Sequence, residues 1–342
     1  MRIAIANDMG LAVEVLKRVL ISSREHEIAW VARDGLEAVE KCRQDRPDLI
    51  LMDLVMPRLS GVEATRQIML ESPCAILVVT ASVNSLARDV FEALGAGALD
   101  AIKTPHLGLQ MDGTALLAKI RVISRLLSPK KVQTEKVEPT AKQREEQAPP
   151  LLVLGSSSGG PKALVQLLSS FPADFPASVA VVQHIDTEFV PGLVSWLQKH
   201  CALPVSMAIN HQKPRPGEVL VAATEGHLKM SASGRYIYSM EPSNLVHRPS
   251  VDVFFQSVAK NWPASVIGVI LTGMGSDGSD GLLALRQAGH HTIAQDRESS
   301  AIYGMPKAAA DKKAACEILS IDHIGSAIIS KLRKEESRRV NC

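Results

Sequence analysis

Ser157 sits at the centre of Gly155-Ser156-Ser157-Ser158-Gly159, His184 directly follows the apolar run SVAVVQ, and Asp277 lies inside GMGSDG. Each comes just after a stretch of strand character. A serine hydroxyl is a weak nucleophile until a neighbouring base takes its proton, and an imidazole base needs a carboxylate to orient it. Ser157 as nucleophile, His184 as base and Asp277 as orienter would together perform acyl transfer. The G-x-S-x-G pattern supports the first role, since it places its serine at a tight strand-to-helix turn with glycines clearing the space around it.

A second constellation lies in the first third of the chain. Asn7 and Asp8 end one apolar run, Asp53 ends another and Thr80 ends a third. Carboxylates gathered at one sheet edge repel unless a hard cation lies between them, and oxygen donors of this kind suit Mg²⁺.

The glycines admit another chemistry. Residues 273–278 also read G-x-G-x-x-G, directly after an apolar strand and before the helical pattern DGLLALRQAG, with Asp296 18 residues beyond Gly278. That is nearly the whole dinucleotide-binding fingerprint, and a phosphate cradle at 155–160 would suit it. A nucleotide-binding oxidoreductase under the control of the first third of the chain therefore stays open on spacing alone. Against it, a motif starting at residue 273 leaves little chain for a second mononucleotide half.

The elements that must position these groups alternate. RIAIA (2–6), IAWVA (28–32), DLILMD (48–53), AILVVT (75–80) and ALDAI (98–102) read as buried strands, with helical patterns such as LAVEVLKRVL (11–20) and GLEAVEKC (35–42) between them. This predicts a doubly wound parallel sheet over 1–127. After residue 150 the rhythm resumes in LLVLG, SVAVVQ, VIGVILT (266–272) and HTIAQ (291–295), giving a mostly parallel α/β domain over 151–340. HLKMSASGRYIYSM (227–240) interrupts it as a β-hairpin insertion. There is no internal repeat. Residues 128–150 hold five Lys/Arg, four Glu and four Pro, with Val132 and Val137 as their only large apolar residues. Such a stretch cannot offset its ordering entropy by burial, so it reads as a flexible linker reaching on the order of 25–30 Å. KLRKEESRR (331–339) reads as a fraying helix end.

Net charge is +2 over 342 residues and is not concentrated in either half, which argues against a nucleic-acid partner. Five scattered cysteines without C-x-x-C argue against a disulfide framework or a zinc site. No apolar window reaches membrane-spanning length and MRIAIANDMG lacks a signal-peptide core, so the expectation is a cytoplasmic protein that is not membrane-inserted.

NDM (7–9), DLILMDLVMPRLSG (48–61) and VVTAS (78–82) resemble a response-regulator receiver domain. The resemblance implies that Asp53 accepts a phosphoryl group from a histidine kinase and that Asp8 and Asp53 hold Mg²⁺. It also makes Thr80 a switch residue. The usual Lys-Pro after strand five is here Thr104-Pro105, with Lys103 one position earlier and taken as the switch lysine, reaching the site from a frayed strand end. The usual aromatic switch position is Ala101. GSSSGGPKAL, VVQH (181–184), RPSVDVFF (248–255) and ILTGMGSDGSDGL (270–282) resemble the chemotaxis protein-glutamate methylesterases, and MRIAIANDM with LDAIKTP is similar to their Wsp-type surface-sensing branch. That implies hydrolysis of glutamate methyl esters on chemoreceptors, with release of methanol, and deamidation of receptor glutamines. No cofactor is implied in the hydrolase domain. The resemblance also implies an oxyanion site at the Met274 N–H; the Ser158 N–H joins it from the geometry of the turn, and Gly273 and Gly275 would let the backbone approach the substrate.

Overall fold

The computed structural model describes residues 1–81, 83–105, 113–126, 148–243, 245 and 247–340, with side chains left aside at 83–87, 125–126 and 336–340. All but the last three positions of the expected linker lie outside the described residues. The chain divides into two compact units, Met1–Pro129 and Lys130–Cys342.

The first unit runs β1 (Arg2–Ala6), α1 (Gly10–Ser23), β2 (Glu27–Ala32), α2 (Gly35–Gln44), β3 (Leu49–Met52), α3 (Gly61–Glu71), β4 (Ala75–Thr80), α4 (Val83–Ala96), β5 (Asp100–Lys103) and α5 (Thr114–Leu126). Its strands form one parallel sheet in the order β2-β1-β3-β4-β5. β3 is buried throughout, as a strand covered by helices on both faces must be. The helices start where polar side chains take up free N–H groups: Asp34 accepts from Glu37 N at 2.9 Å and Ser60 from Glu63 N at 3.3 Å. The strand order reverses between β1 and β3, so Asn7, Asp8 and Asp53 meet at the switch point. The fifth strand lies two residues later at its start than ALDAI suggested. Gly97, at φ 123°, closes α4, and Leu99 N first bonds Ile76 O, so regular pairing begins at Asp100. Lys103 is consequently the last paired residue of β5, opposite Thr80, rather than part of a frayed end.

The second unit runs β6 (Leu151–Ser156), α6 (Gly160–Leu168), β7 (Ser178–Gln183), α7 (Val190–His200), β8 (Val205–Met207), β9 (Val219–Val221), β10 (His227–Met230), β11 (Tyr236–Ser239), α8 (Val251–Asn261), β12 (Val266–Ile270), α9 (Ser279–Gln287), β13 (His291–Gln295), α10 (Met305–Asp311), β14 (Glu317–Leu319) and α11 (Ile321–Val340). Seven strands pair in parallel in the order β14-β13-β12-β6-β7-β9-β8, and β10 and β11 make the separate antiparallel hairpin that the Ser-Gly turn predicts. α11 continues to Val340, so 331–339 forms its C-terminal end.

Val251, Phe254, Phe255 and Val258 recur at helical spacing and turn one face of α8 into the core, each 0% exposed. That face packs with Tyr236 of the hairpin and Leu282 and Leu285 of α9. The packing fixes where the first turn of α8 points, which matters below. Phe254→Ala should lower the unfolding free energy by about 3–5 kcal/mol in urea followed by tryptophan fluorescence, because removing a fully buried ring loses its apolar burial and leaves a cavity.

Candidate active site

β6 and β7 run in register to their ends, Gly155 opposite Val182 and Ser156 opposite Gln183. One step further brings Ser157 beside His184, whose N–H bonds Ser156 O at 2.9 Å. On its other side Ser157 N donates to Thr272 O at 3.1 Å. The serine is therefore held between the strand bearing His184 and the loop leading to Asp277. Ser158 and Gly159 make the turn into α6, with the left-handed conformation, φ 75°, falling on Gly159. Ser157 itself is not among the residues with positive φ, so the turn's left-handed position is carried by glycine. Gln183 fastens the turn from beneath. Its amide N–H₂ donates to Ser157 O at 2.8 Å and His184 O at 3.0 Å, and its oxygen accepts from Ser156 Oγ at 2.6 Å.

His184 Nε2 lies 2.8 Å from Asp277 Oδ2. The carboxylate also accepts from Ser250 Oγ at 2.8 Å, Val251 N at 2.7 Å and Asp252 N at 3.1 Å. Asp277 is thus seated on the first turn of α8, where free N–H groups and the helix dipole both favour a negative charge. Burial pushes its carboxyl upward, but the bond and charge of His184, then Ser250 and Val251, outweigh that and hold it well below the usual carboxylate range. An ionised carboxylate only accepts, so Nε2 must carry the proton of neutral His184 and Nδ1 must carry the lone pair. That Nδ1 is buried without a hydrogen-bond partner. Ser157 Oγ, among the described residues, also makes no hydrogen bond. A donor lacking an acceptor and a buried acceptor lacking a donor thus lie at the ends of adjacent strands, whose backbones are spaced about 5 Å apart. The His247 ring lies parallel to that of His184, centroids 4.3 Å apart and planes at 9°. Neither Gln183 nor His247 was singled out from the sequence. No spacing marks a glutamine under a turn or a ring stacked from a distant loop.

Thr272 anchors the loop that follows β12. Its N–H donates to Gln295 Oε1 at 2.8 Å, its hydroxyl donates to Ser158 O at 3.0 Å, and that hydroxyl accepts from Ile302 N at 2.9 Å. Gly273 is clamped as well: its N–H bonds Ile302 O, and its carbonyl accepts from Gly304 N and Met305 N. A Cβ on Gly273 would meet Met305 Sδ at 2.4 Å and Ser157 Cβ at 2.9 Å. Its smallness thus admits Ser157 and Met305 rather than a substrate. Gly275 has φ 80° with nothing within 4 Å of a built Cβ. Among the described residues the Met274 N–H has no hydrogen-bond acceptor, while the Met274 sulfur accepts from Ser158 Oγ at 2.8 Å.

In the first unit, Asn7 Nδ2 donates to Asp53 Oδ2 at 3.0 Å and Leu54 N to Asp53 Oδ1 at 2.7 Å. Burial pushes the Asp53 carboxyl up, the N–H groups of Leu54 and Val55 pull it down, and the charge of Asp8 pushes it up again. Two hard carboxylate groups in mutual repulsion fit a small divalent cation, which would relieve that repulsion. Thr80 is buried at the end of β4, and Thr104 N bonds its carbonyl at 2.9 Å.

Comparison with known proteins adds independent findings. Residues 152–328 match the CheB methylesterase family, and residues 3–107 match the response regulator receiver domain. A protein-glutamate methylesterase/protein-glutamine glutaminase of Mesorhizobium japonicum is 50% identical over 339 residues, covering 96% of this chain and 98% of that one. A protein of the same description from Burkholderia lata is 51% identical over 338 residues, covering 98% and 99%. Among solved structures, the CheB methylesterase catalytic domain of Thermotoga maritima matches with a TM-score of 0.51 and 32% identity, covering 53% of this chain and 97% of that one.

Asp252 offers a test of the carboxylate network. Its Oδ1 accepts from Gly281 N at 2.6 Å, yet burial first, and the Asp277 charge among its neighbours, raise its pKa to about 6. A folded pKa above the unfolded one means that the ionised form costs stability, fully above about pH 6 and not at all below about pH 4. Asp252→Asn should therefore stabilise the protein against urea at pH 7.5. The advantage should fade through that window and vanish by pH 4.

Proposed function

This chain belongs to the CheB methylesterase family, with a response regulator receiver domain ahead of the catalytic one, and we propose that it hydrolyses glutamate methyl esters and deamidates glutamines on methyl-accepting chemoreceptors. The observation that carries the chemistry is the 2.8 Å His184–Asp277 bond, with the other nitrogen of the same ring buried and, among the described residues, without a hydrogen-bond partner at the strand end next to Ser157.

Ser157 Oγ attacks the ester carbonyl carbon as its proton passes to His184 Nδ1. The charge that develops on the carbonyl oxygen is met by the N–H groups of Met274 and Ser158. His184 then protonates the departing methoxide, and methanol leaves an acyl-serine. A water molecule, deprotonated by the same nitrogen, attacks that acyl group and frees the glutamate. A glutamine substrate follows the same course with ammonia as the leaving group. Throughout, Asp277 stabilises the imidazolium through Nε2 and fixes which nitrogen reacts. It stays ionised because three further donors from the start of α8 hold it so.

The receiver domain controls this chemistry. A histidine kinase supplies the phosphoryl group, which Asp53 accepts, and Asp8 with Asp53 would hold Mg²⁺, which neutralises charge on the transferring group. Thr80 and Lys103, paired at the ends of β4 and β5, lie next to this strand end and serve as the switch. The reading assigns residues 1–127 to the receiver, 128–150 to the linker and 151–340 to the hydrolase, acting in the cytoplasm without nucleic acid. No described helix is long and apolar enough to cross a membrane. Against the oxidoreductase alternative, Asp296 Oδ1 is already engaged within its own turn, accepting from Ser299 N at 3.0 Å and Ser299 Oγ at 2.6 Å. That alternative also needs a phosphate where the Asp277 carboxylate sits.

Ser157→Ala should lower methanol release from methylated receptor by at least about a thousandfold with an unchanged melting transition. Near-normal turnover would remove the nucleophile assignment. Asp53→Asn should retain basal turnover but lose the increase that acetyl phosphate produces in the unmodified protein; equal activation of both would remove the switch from Asp53.

A further inference from the structure

One face of the His184 imidazole is covered by a residue that the triad does not use. The ring of His247 lies parallel to it, with centroids 4.3 Å apart and planes at 9°. The two rings differ in exposure: the His184 side chain is 8% exposed, whereas His247 is an exposed residue. His247 therefore stands on the solvent side of the base.

The base needs a second constraint. The 2.8 Å contact with Asp277 Oδ2 fixes His184 at Nε2, while among the described residues Nδ1 has no hydrogen-bond partner. One in-plane bond leaves an imidazole able to tilt about its Cβ–Cγ bond, a torsion with only broad preferences. Such a tilt moves Nδ1 out of line with a serine proton. A flat neighbour packed on the face of the ring opposes it, because stacked rings lose contact when one tips against the other.

The loop that presents His247 is itself anchored. His227, fully buried in β10, accepts from Ser250 N at Nδ1 (3.1 Å) and so donates from Nε2 to Pro242 O at 3.0 Å. A single buried imidazole thus ties the chain on both sides of His247. Further along the same segment, Ser250 Oγ and Val251 N both donate to the Asp277 carboxylate. The stacked ring and the seat of the triad carboxylate therefore come from one stretch of chain, so the two constraints on His184 are set together.

We propose that His247 is a positioning residue for the reaction: its ring holds the His184 imidazole in the plane that directs Nδ1 at the Ser157 hydroxyl. This role presupposes the ester hydrolysis proposed above. It calls for a planar side chain rather than for an imidazole, since no proton passes through His247. Without the ring the ester would bind as before but meet an aligned base less often, so the loss belongs in kcat and not in KM.

The experiment uses the full-length protein with methylated receptor as substrate, methanol release giving kcat and KM, and a melting transition recorded for each variant. His247→Ala should lower kcat by at least about fivefold while KM changes by less than about twofold. His247→Leu, bulkier but not planar, should behave in the same way, and it decides the matter if His247→Ala does not melt as the wild type does. His247→Phe, which restores a flat face without a titratable nitrogen, should turn over at least about threefold faster than His247→Leu. A smaller fall in kcat, a rise in KM in its place, or a phenylalanine variant no faster than the leucine one would each overturn the proposal. Absence of methanol release from the wild type would sink the proposed function and this role together, whereas normal wild-type release with any of those results sinks this role alone.

Discussion

One ionised carboxylate organises the catalytic unit. Asp277 is buried at a cost that only several hydrogen bonds can offset, and it finds them in His184, Ser250 and the first two N–H groups of α8. Two distant segments are joined by this. The loop after β12 must end at α8, and α8 must present its amino end and not its side. The second condition is met by hydrophobic burial of Val251, Phe254, Phe255 and Val258, which leaves the helix one orientation. Side chains remote from the ester therefore determine where the imidazole points. Removing the charge alone would leave four donors facing a weaker acceptor, and the ring would be free to change which nitrogen bears its proton.

Sheet topology supplies the rest of the placement. In both units the strand order reverses once between central strands, between β1 and β3 in the first and between β6 and β12 in the second. Connections leave a reversal in opposite directions and open a crevice at the carboxyl ends of the strands. Asp53 and Ser157 occupy that crevice in their respective sheets. Ser157 is pressed against Gly273 closely enough that a methyl group there would collide with its Cβ.

Long, doubly buried strands were legible because their apolar runs are continuous, as in LILM and SVAVVQ. β8, β9 and β14 were not, since VSM, VLV and EIL are too short to carry a pattern and are defined by pairing alone. Ser157, His184 and Asp277 could be named from position because strand ends converge on one edge. Which nitrogen of His184 faces Asp277 could not, because it depends on an Asp277 oxygen whose orientation is set by α8. His247 stacks from a loop that no periodicity marks, and Gln183 acts through carbonyls that every residue possesses. Sequence thus located groups that follow strands, while the residues that aim those groups emerged only from packing.

The two functional carboxylates illustrate opposite solutions to one electrostatic problem. Asp277 is more enclosed, yet its charge is stabilised, because the protein itself provides the donors and an imidazole. Asp53 receives two main-chain donors and an amide but faces Asp8, and its carboxyl is pushed up. The difference matches the work proposed for each. A triad carboxylate must hold a constant charge through every step, so its neutralisation is built into the fold. A phosphoryl acceptor must become reactive only when a cation and a phosphodonor arrive, so its neutralisation is left incomplete. Completing it with a fixed lysine in place of Asn7, within reach of Asp53, would pair the carboxylate permanently. Such a pair would compete with the cation and blunt its response to the donor.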